Sequence, residues 1–298
     1  MNLTVISPCH NEEACLSIFI SRIKPVLEQL PVLSWQIVFI NDGSTDQSAA
    51  IINELRQQDQ RIKMITFSRN FGYQAALLAG LESVESDLYA IIDVDCEDPP
   101  ELLADFMAKI KEGNALVYGI RSQRKEPPLL IWCRKMFYQL NKLLADSKVY
   151  MWMAEFSMFN KTIRDAVIKP NTTFPFLRTE MAYVGYATVG VPYQRQNRAA
   201  GKSHYNILNM VKFALGGILA STTFPLRAIL YLAILLLLLF LIVAGCIRNL
   251  FEIAMIAVIL NFIFMLIAMP ILGIYLARTY RNIVSRPNYF INREKTFL

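Results

Sequence analysis

The sequence predicts an α/β domain built on a mostly parallel sheet, followed by a hairpin of two membrane-spanning helices. Short apolar runs alternate with helical patterns up to about residue 125, which is typical of parallel sheets covered by helices on both faces. The last third of the chain carries two long uncharged runs. The whole sequence is 54% hydrophobic and only 18% charged, which is too apolar for an ordinary soluble domain.

Five apolar runs are candidate strands, at 3–7, 36–40, 62–67, 88–92 and 115–120. The helical patterns between them lie at 13–30, 45–58, 73–84 and 100–111. Ligands bind at the carboxyl ends of the strands in sheets of this kind. Polar segments follow four of the candidate strands, at 8–13, 41–46, 68–72 and 93–101. They predict a functional site at that edge of the sheet.

The two uncharged runs, about 228–247 and 253–277, are each long enough to cross a membrane, since a spanning helix needs about 20 apolar residues. The alternative is a pair of buried core helices. The linker 248–252 is so short that the spans should form a hairpin. Basic residues precede the first span and follow the second. The positive-inside rule therefore places both termini, and a tail at 279–298, in the cytoplasm.

The remaining boundaries follow from composition and helical periodicity. The α/β domain is expected over 1–205, and an amphipathic juxtamembrane helix over 206–226. Within the domain, 129–146 has apolar residues on one helical face, which fits either a surface helix on the core or a helix in the membrane interface. The net charge of +6 fits attraction to anionic headgroups or a phosphorylated lipid, and no nucleic-acid partner is expected.

The cysteines and the start of the chain indicate the compartment. The five cysteines are odd in number and form no CxxC pair, which argues against a disulfide framework or a zinc site and fits a reducing compartment. The opening residues lack a basic region and resemble a strand, so no secretory signal peptide is expected. Both features agree with a membrane protein whose α/β domain faces the cytoplasm.

Part of the acidic segment 93–101 has a structural interpretation. Asp98 precedes two prolines and can cap a helix that begins at Pro99, because aspartate is a preferred cap and proline is preferred at the first helical position. Glu101 stands three residues further on, where a capping-box partner is expected. These two carboxylates are therefore predicted to have local structural duties.

The other three carboxylates of this segment alternate along the chain, at Asp93, Asp95 and Glu97. Residues two apart in an extended strand point to the same side. If the backbone stays extended, the three carboxylates meet and offer the hard oxygen ligands that Mg²⁺ or Mn²⁺ prefers. The alternative is a solvated acidic loop.

Several motifs occur together and in order: PCHNEE at 8–13, NDGSTD at 41–46, RNFGYQAALLAG at 69–80, DVDCEDPPE at 93–101 and RAAGKSHYN at 198–206. Together they resemble the family 2 glycosyltransferases. More narrowly, they resemble the polyprenyl-phosphate branch, which contains dolichol-phosphate mannose synthase and the bactoprenol glucosyltransferases. The resemblance also covers 224–227 and 273–291, and thus nearly the whole chain.

The resemblance implies a GT-A (Rossmann-like) catalytic domain and an inverting transfer. A hexose would move from a nucleotide sugar, with UDP the expected nucleotide, to polyprenyl (undecaprenyl) phosphate. The resemblance also implies an integral protein of the bacterial inner membrane, with its catalytic domain in the cytoplasm. A homo-oligomer is expected, because relatives with this tail are tetramers.

The resemblance also implies which residues contact the donor. The implied nucleotide-sugar residues are Pro8, His10, Glu12, Ile40, Asp42, Asp93 and Val94. The implied ligands of Mg²⁺ or Mn²⁺ are Asp93, Asp95 and Glu97. His10 stands where the family commonly has tyrosine, and Glu97 where it usually has glutamine.

The implied phosphate- and acceptor-binding residues are Arg121, Arg134, Arg198 and Ser203. Asp95 and Glu155 are the implied catalytic residues, with Glu155 orienting the acceptor or the sugar, or acting as a base. Bactoprenol glucosyltransferases usually read G-D-F-R where this chain reads A-E-F-S at 154–157. Ser157 thus replaces an arginine, which leaves the sugar specificity open.

Two alternative functions remain at this point. A processive family 2 polysaccharide synthase would share the first half of the chain but needs a Q-x-x-R-W motif, which surrounds none of the three tryptophans. A non-catalytic membrane protein, such as a sugar-nucleotide-binding protein or flippase subunit, would not need the acidic and basic sets together.

Overall fold

The structure is a computed structural model, and it describes residues 1–122, 136, 153–170, 172–173, 175–200, 216–217, 219, 222–247 and 249–298. Of the predicted amphipathic segment 129–146, only Met136 is described. Most of the predicted juxtamembrane helix 206–226 lies outside the described residues. Arg134 and Ser203 also lie outside them.

The first part of the chain alternates strands and helices as its apolar pattern predicts. Strands β1 to β5 are Asn2–Cys9, Ser34–Asn41, Ile62–Thr66, Leu88–Ile91 and Leu116–Ser122. Helices α1 to α4 are Glu13–Gln29, Ser48–Gln58, Tyr73–Ser83 and Leu103–Lys111. A short 3-10 helix, Pro100–Leu102, precedes α4. All of the predicted strands and helices of this part are confirmed, with ends that differ by a few residues.

Residues 153–194 contribute four elements that the sequence pattern did not predict. They are β6 (Met153–Asn160), α5 (Lys161–Ile168), α6 (Leu177–Tyr183) and β7 (Thr188–Gln194). Alternation of Val189, Val191 and Tyr193 was a usable signal for β7, because β-branched and aromatic residues at every second position favour a strand.

The seven strands form one sheet in the order β3-β2-β1-β4-β6-β5-β7. Strand β6 is antiparallel to both of its neighbours, and the other pairs are parallel. The prediction of a mostly parallel sheet is confirmed. Parallel neighbours need crossover connections, which the helices supply. As a result, the carboxyl ends of β1, β2 and β4 lie side by side at one edge of the sheet.

Apolar side chains cover both faces of the sheet. On β1, Val5 packs into a cluster with Phe19, Phe39 and Phe106. The next residue, Ile6, packs into a second cluster that includes Leu77 and Phe159 on the opposite face. This alternation is what a strand buried between two layers of helices requires.

Two helices are long and apolar enough to cross a membrane, α7 (Phe224–Cys246) and α8 (Leu250–Val284), with mean hydropathies of 3.1 and 2.7. Their most apolar windows are 0% and 6% buried, so the alternative of two buried core helices is wrong. Helix α8 spans 35 residues, or about 50 Å at 1.5 Å per residue. A hydrocarbon core is about 30 Å thick, and α8 therefore extends beyond such a layer.

The end of α8 returns the chain to the α/β domain. The Asn282 side-chain oxygen accepts hydrogen bonds from the Thr173 backbone N–H and hydroxyl at 3.0 and 2.7 Å. Asn288 donates to the Thr172 carbonyl oxygen at 2.8 Å. These contacts place the end of α8 on the same side of any membrane as the domain, as a two-helix hairpin requires.

The segment 289–297, here called the C-terminal tail, lies along the outer edge of β3. It forms antiparallel bridges from Phe297 to Met64 and from Ile291 to Phe67. The ring of Tyr289 stacks on Phe67 with 5.0 Å between centroids. An exposed edge strand is a site of unwanted pairing, and the tail covers this one.

Candidate active site

The polar segments that follow β1, β2 and β4 meet at one edge of the sheet. Cys9 at the end of β1 pairs with Asn41 at the end of β2, and Ile6 pairs with Ile91 at the end of β4. The acidic segment therefore begins next to the first two polar loops. This confirms the expectation that these loops share a location.

Asp42 organises the loop after β2. The residue is 4% exposed, and its carboxylate accepts backbone hydrogen bonds from Phe71 at 2.6 Å and Gly72 at 2.9 Å. Burial raises the pKa of Asp42, and the two N–H donors oppose that rise. The carboxylate thus joins the second polar loop to the start of α3.

Gly43 brings the loop after β2 into direct backbone contact with the segment between β3 and α3. Its φ is +63°, and a Cβ atom added there would lie 2.4 Å from the Arg69 carbonyl carbon and 2.5 Å from the Asn70 nitrogen. Only glycine adopts this conformation at little cost, and only glycine leaves room for the neighbouring backbone. The NDGS turn is therefore held against the segment that precedes α3.

The first residue of α3 holds the first carboxylate of the acidic segment. The Tyr73 hydroxyl donates to Asp93 Oδ1 at 2.8 Å. Burial and the neighbouring negative charge of Asp95 raise the pKa of Asp93 to about 7. Among the described residues, no cationic side chain lies within 4.0 Å of Asp93. A cation beside Asp93 and Asp95 would relieve this repulsion.

The three alternating carboxylates do not converge as predicted. Strand β4 ends at Ile91, and Cys96 adopts a left-handed conformation with φ of 57°, so the backbone turns instead of staying extended. Glu97 forms an ion pair with Arg195. Within the described part of the chain, no group of three or more His, Cys, Asp or Glu side chains is placed to hold a metal ion. Asp93 and Asp95 still offer carboxylate oxygens that fit a divalent cation, and Asp93 has no cationic partner within 4.0 Å among the described residues.

The prediction that Asp98 caps a helix is wrong. The short 3-10 helix after it has no side-chain cap, and Asp98 is 2% exposed. Its carboxylate accepts hydrogen bonds from Arg121 at 2.9 Å and from the Tyr193 hydroxyl. Glu101, the predicted capping-box partner, pairs with Arg22 on α1 instead. Asp98 pairs with Arg121, which is distant in sequence, instead of forming the local cap, because a buried carboxylate needs a charged partner.

Arg121, Asp98 and Tyr193 form a closed network behind the acidic segment. Arg121 Nε also donates to the Tyr193 hydroxyl at 3.1 Å. The negative charge of Asp98 outweighs the effect of burial and raises the pKa of Arg121. Burial and the same carboxylate raise the pKa of the Tyr193 phenol. The guanidinium group, an implied phosphate-binding group, is thus fixed at the site edge.

A second arginine reaches the site from the segment after β7. Arg198 pairs with Glu12, and its Nη1 lies 3.7 Å from Asp95 Oδ2. The backbone of Ala199 donates to the Asp95 carbonyl oxygen at 3.0 Å, and that of Gln196 donates to the Glu97 carbonyl oxygen at 2.8 Å. The segment 195–200 therefore lies directly against the acidic segment.

Glu155 on β6 faces the same site. Its side chain is 10% exposed, and its Oε1 lies 3.1 Å from Nη2 of Arg178 on α6. Gln74 Nε2 lies 3.3 Å from the same oxygen. Arg178 reaches the site from a different element than Ser157, the position at which relatives of the predicted type carry arginine.

The implied nucleotide-binding residues differ in what they can offer a ligand. The His10 ring nitrogen Nδ1 lies 2.8 Å from the Asp42 carbonyl oxygen, which fixes the ring beside the second loop. Ile40 and Val94 are 0% and 2% exposed, so they can contribute only backbone groups. Pro8 lies inside β1 opposite Ile40. These roles stay predictions.

Five residues of the site were missed by the sequence analysis: Tyr73, Gln74, Arg178, Tyr193 and Arg195. Tyr73 and Gln74 lie within the RNFGYQAALLAG motif, which was a signal for the first two. Arg178, Tyr193 and Arg195 act through partners far away in sequence. No local pattern could have indicated them.

Comparison with known proteins identifies the family. Residues 4–176 match the family described as glycosyl transferase family 2. The chain belongs to this family. Its catalytic domain is the mostly parallel, Rossmann-like GT-A sheet described above, followed by two long apolar helices.

Several relatives in glycosyl transferase family 2 match nearly the whole chain. The uncharacterized glycosyltransferase YkcC of Bacillus subtilis (strain 168) is 30% identical over 97% of this chain and 93% of its own length. The prophage bactoprenol glucosyl transferase homolog of Escherichia coli (strain K12) is 30% identical over 99% of this chain and 100% of its own length. The bactoprenol glucosyl transferase of Shigella phage SfX has the same identity and coverage.

Among solved structures, a similar chain is glucosyl-3-phosphoglycerate synthase from Mycobacterium tuberculosis in complex with Mn²⁺, UDP-glucose and phosphoglyceric acid. It is 16% identical, with a TM-score of 0.49, over 72% of this chain and 76% of that chain.

Proposed function

We propose that this family 2 glycosyltransferase moves a hexose from a nucleotide sugar, with UDP the expected nucleotide, to a polyprenyl phosphate such as undecaprenyl phosphate. The observation that carries the proposal is the pair of neighbouring carboxylates Asp93 and Asp95, with Arg198 beside Asp95 and Arg121 held behind the same acidic segment. A set of carboxylates and guanidinium groups suits a reaction between two anionic substrates. Two apolar helices on the same chain suit an acceptor that stays in the membrane.

The nucleotide sugar is proposed to bind across the loops after β1 and β2. His10 is held where its ring can stack on a base, and Glu12 and Asp42 lie in the same loops. The N–H groups of Phe71 and Gly72 already bind Asp42, so this loop geometry is preorganised before the donor arrives.

A divalent cation, Mg²⁺ or Mn²⁺, fits Asp93 and Asp95. The donor set is two hard carboxylate oxygens with no cation of their own at Asp93, and such ions complete their shell with water and substrate phosphates. When bound, the ion would offset charge on the nucleoside diphosphate leaving group. Glu97 is the weaker ligand candidate because Arg195 already pairs with it.

The arginines are proposed to hold the acceptor phosphate in line with the anomeric carbon. Arg121 and Arg198 are oriented by Asp98 and Glu12, so little side-chain entropy is lost when a phosphate binds. A phosphate monoester is largely anionic at pH 7, since its second pKa is about 6. The acceptor oxygen can therefore attack without a strong base, and attack from the face opposite the leaving group gives inversion.

The membrane arrangement follows from the same proposal. Helices α7 and α8 would span the bacterial inner membrane, with the catalytic domain and both termini in the cytoplasm, where nucleotide sugars are available. The contact of Asn282 with Thr173 supports one side for the domain and the end of α8. Assembly into a homo-oligomer, expected as a tetramer, stays a prediction.

The proposal is tested by transfer of label. Purified protein in detergent is incubated with undecaprenyl phosphate, Mn²⁺ or Mg²⁺, and radiolabelled UDP-glucose, UDP-galactose, UDP-N-acetylglucosamine or GDP-mannose. Label in the organic phase that requires the lipid phosphate is the expected result. Label in a soluble polymer would indicate a processive synthase, and nucleotide-sugar binding without any product would indicate a non-catalytic binding protein.

A further inference from the structure

The Glu155 carboxylate is anchored at one oxygen only. Oε1 accepts hydrogen bonds from Arg178 Nη2 at 3.1 Å and from Gln74 Nε2 at 3.3 Å. The Ser157 hydroxyl donates to the Glu155 carbonyl oxygen at 2.9 Å, which also fixes the backbone. Among the described residues, none donates a hydrogen bond to Oε2. This oxygen is also not one of the fully buried side-chain atoms that lack a partner, so it is accessible. Oε2 therefore remains available to a ligand.

The two anchors are linked to each other. Gln74 Oε1 accepts a hydrogen bond from the Leu177 backbone N–H at 2.9 Å, and Leu177 directly precedes Arg178. The amide of Gln74 thus joins the start of α3, the start of α6 and the carboxylate on β6. Three separate elements are required to place one carboxylate oxygen.

The same turn of α3 also serves the acidic segment. Tyr73 donates to Asp93 at 2.8 Å, and the next residue, Gln74, donates to Glu155. The relative position of Asp93 and Glu155 is therefore set by two adjacent side chains of one helix. A site that needs both carboxylates around one substrate would require this kind of coupling.

Among the described residues, Glu155 is the side-chain partner of the Arg178 guanidinium. Its Nε is buried and donates to none of the described residues. Nη2 is directed at Glu155 with the side chain 26% exposed.

We propose that Arg178 and Gln74 are positioning residues that turn Oε2 of Glu155 toward a hydroxyl group of the donor sugar. This inference rests on the proposed nucleotide-sugar transfer. Arg178 supplies, from α6, the cationic partner that β6 itself lacks beside Glu155. Specificity for the donor hexose then depends on Arg178 through Glu155, while the nucleotide is held by the loops after β1 and β2.

Calorimetric binding of UDP, UDP-glucose, UDP-galactose and UDP-N-acetylglucosamine, all with Mn²⁺, tests the inference without requiring turnover. The wild type should bind one of the three sugars more tightly than UDP. Arg178→Ala should remove that preference and change the affinity for UDP itself by less than about twofold. Gln74→Ala should act in the same direction. Arg178→Lys should restore part of the preference, because a cation is again present near Oε1.

Arg61→Ala is the matched control. Arg61 also pairs with a carboxylate, Asp59, at 2.8 Å. It directly precedes β3 and therefore lies at the amino ends of the parallel strands, whereas the site lies at their carboxyl ends. Its loss should leave the sugar preference intact. The inference is overturned if the wild type binds UDP and all three sugars equally, or if Arg178→Ala keeps the wild-type preference. It is also overturned if Arg178→Ala weakens the binding of UDP and of the sugar nucleotides by the same factor.

Turnover separates this inference from the proposed function. If the wild type transfers sugar to lipid, Arg178→Ala should lower kcat by about tenfold, since misplacing a catalytic group by about 1 Å can cost up to about 100-fold. If the wild type transfers nothing but the binding preference depends on Arg178, the proposed acceptor is wrong and the positioning role stands. Unchanged kcat in Arg178→Ala would overturn the positioning role.

Discussion

Phe297 and Met64 exchange two backbone hydrogen bonds, Met64 N–H to the Phe297 carbonyl oxygen at 2.8 Å and Phe297 N–H to the Met64 carbonyl oxygen at 2.7 Å. This antiparallel pair closes the outer edge of β3. The ring of Phe297 packs against the core cluster beneath it and lies 4.0 Å from the Arg56 guanidinium. Residues that follow the membrane hairpin in the chain thus complete the catalytic domain.

Phe297→Ala should therefore destabilise the catalytic domain. Loss of a partly buried ring is expected to lower the free energy of unfolding by about 1–2 kcal/mol. Urea unfolding of the detergent-solubilised protein measures this. Leu298→Ala is the control, since Leu298 is 55% exposed, and it should have almost no effect. Equal effects of the two substitutions would contradict the docked tail.

Removing residues 289–298 should also promote aggregation, because the β3 edge is then open.

The loop after β2 provides a second prediction, for Gly43→Ala. This change strains a left-handed backbone and pushes Cβ into the backbone of Arg69 and Asn70. Gly113→Ala is the control, because Gly113 has φ of +97° with no atom within 4 Å of an added Cβ. Gly113→Ala should cost about 1–2 kcal/mol from strain alone, and Gly43→Ala should cost more and weaken UDP binding. The comparison requires unfolding and UDP-binding measurements on both variants, and similar losses would show that the contact does not matter.

Asp98 gives a prediction that separates the capping hypothesis from the observed ion pair. Asparagine is as good a helix cap as aspartate, so a cap would tolerate Asp98→Asn. Removing the charge beside Arg121 should instead destabilise the protein by about 3 kcal/mol, because a partly buried guanidinium is left without its charged partner. Glu101→Ala breaks an exposed pair with Arg22 and should cost at most about 1 kcal/mol. Thermal unfolding that is unchanged by Asp98→Asn would restore the capping hypothesis.

Local sequence patterns were enough to predict the first five strands and the two apolar helices. Strands β1 to β5 are apolar runs bounded by turn residues, and both apolar helices follow from length and absence of charge. Strand β6 was missed because its polar and apolar residues alternate only over 154–158, which is a short signal, and because all but the last of its residues are buried, the polar ones included. The tail was missed because pairing of Phe297 with Met64 joins distant parts of the chain.

In the candidate site, the sequence likewise predicted the motif residues but not the residues they contact. Asp93, Asp95, Arg121, Arg198 and Glu155 were expected from motifs, and the structure brings them to one edge of the sheet. Their partners are decided by tertiary packing. Asp98 illustrates the limit, because its sequence neighbours indicate a cap, whereas Arg121 and Tyr193 reach it from two other strands.

Tyr73→Phe should lower transfer without unfolding the domain. The substitution keeps the ring and removes only the hydroxyl that donates to Asp93. A hydrogen bond to a charged group contributes about 1.5–3 kcal/mol, so kcat should fall by roughly tenfold or more. Tyr89→Phe is the matched control, because the Tyr89 hydroxyl contacts the backbone of Val84 and Ser86 away from the site. That control should lower stability and leave kcat unchanged, and a reversed pattern would contradict the assignment.

Asp95→Ala tests the proposed cation directly. The carboxylate contributes charge beside Asp93 and accepts the Glu97 backbone N–H at 3.0 Å, and it is not part of either core cluster. The variant should remain folded and membrane-bound but transfer no sugar. Mn²⁺ with UDP should raise the melting temperature of the wild type, because a ligand that binds only the native state stabilises it, and should not raise that of Asp95→Ala. Near-normal turnover, or an equal thermal shift in both proteins, would remove the cation from Asp93 and Asp95.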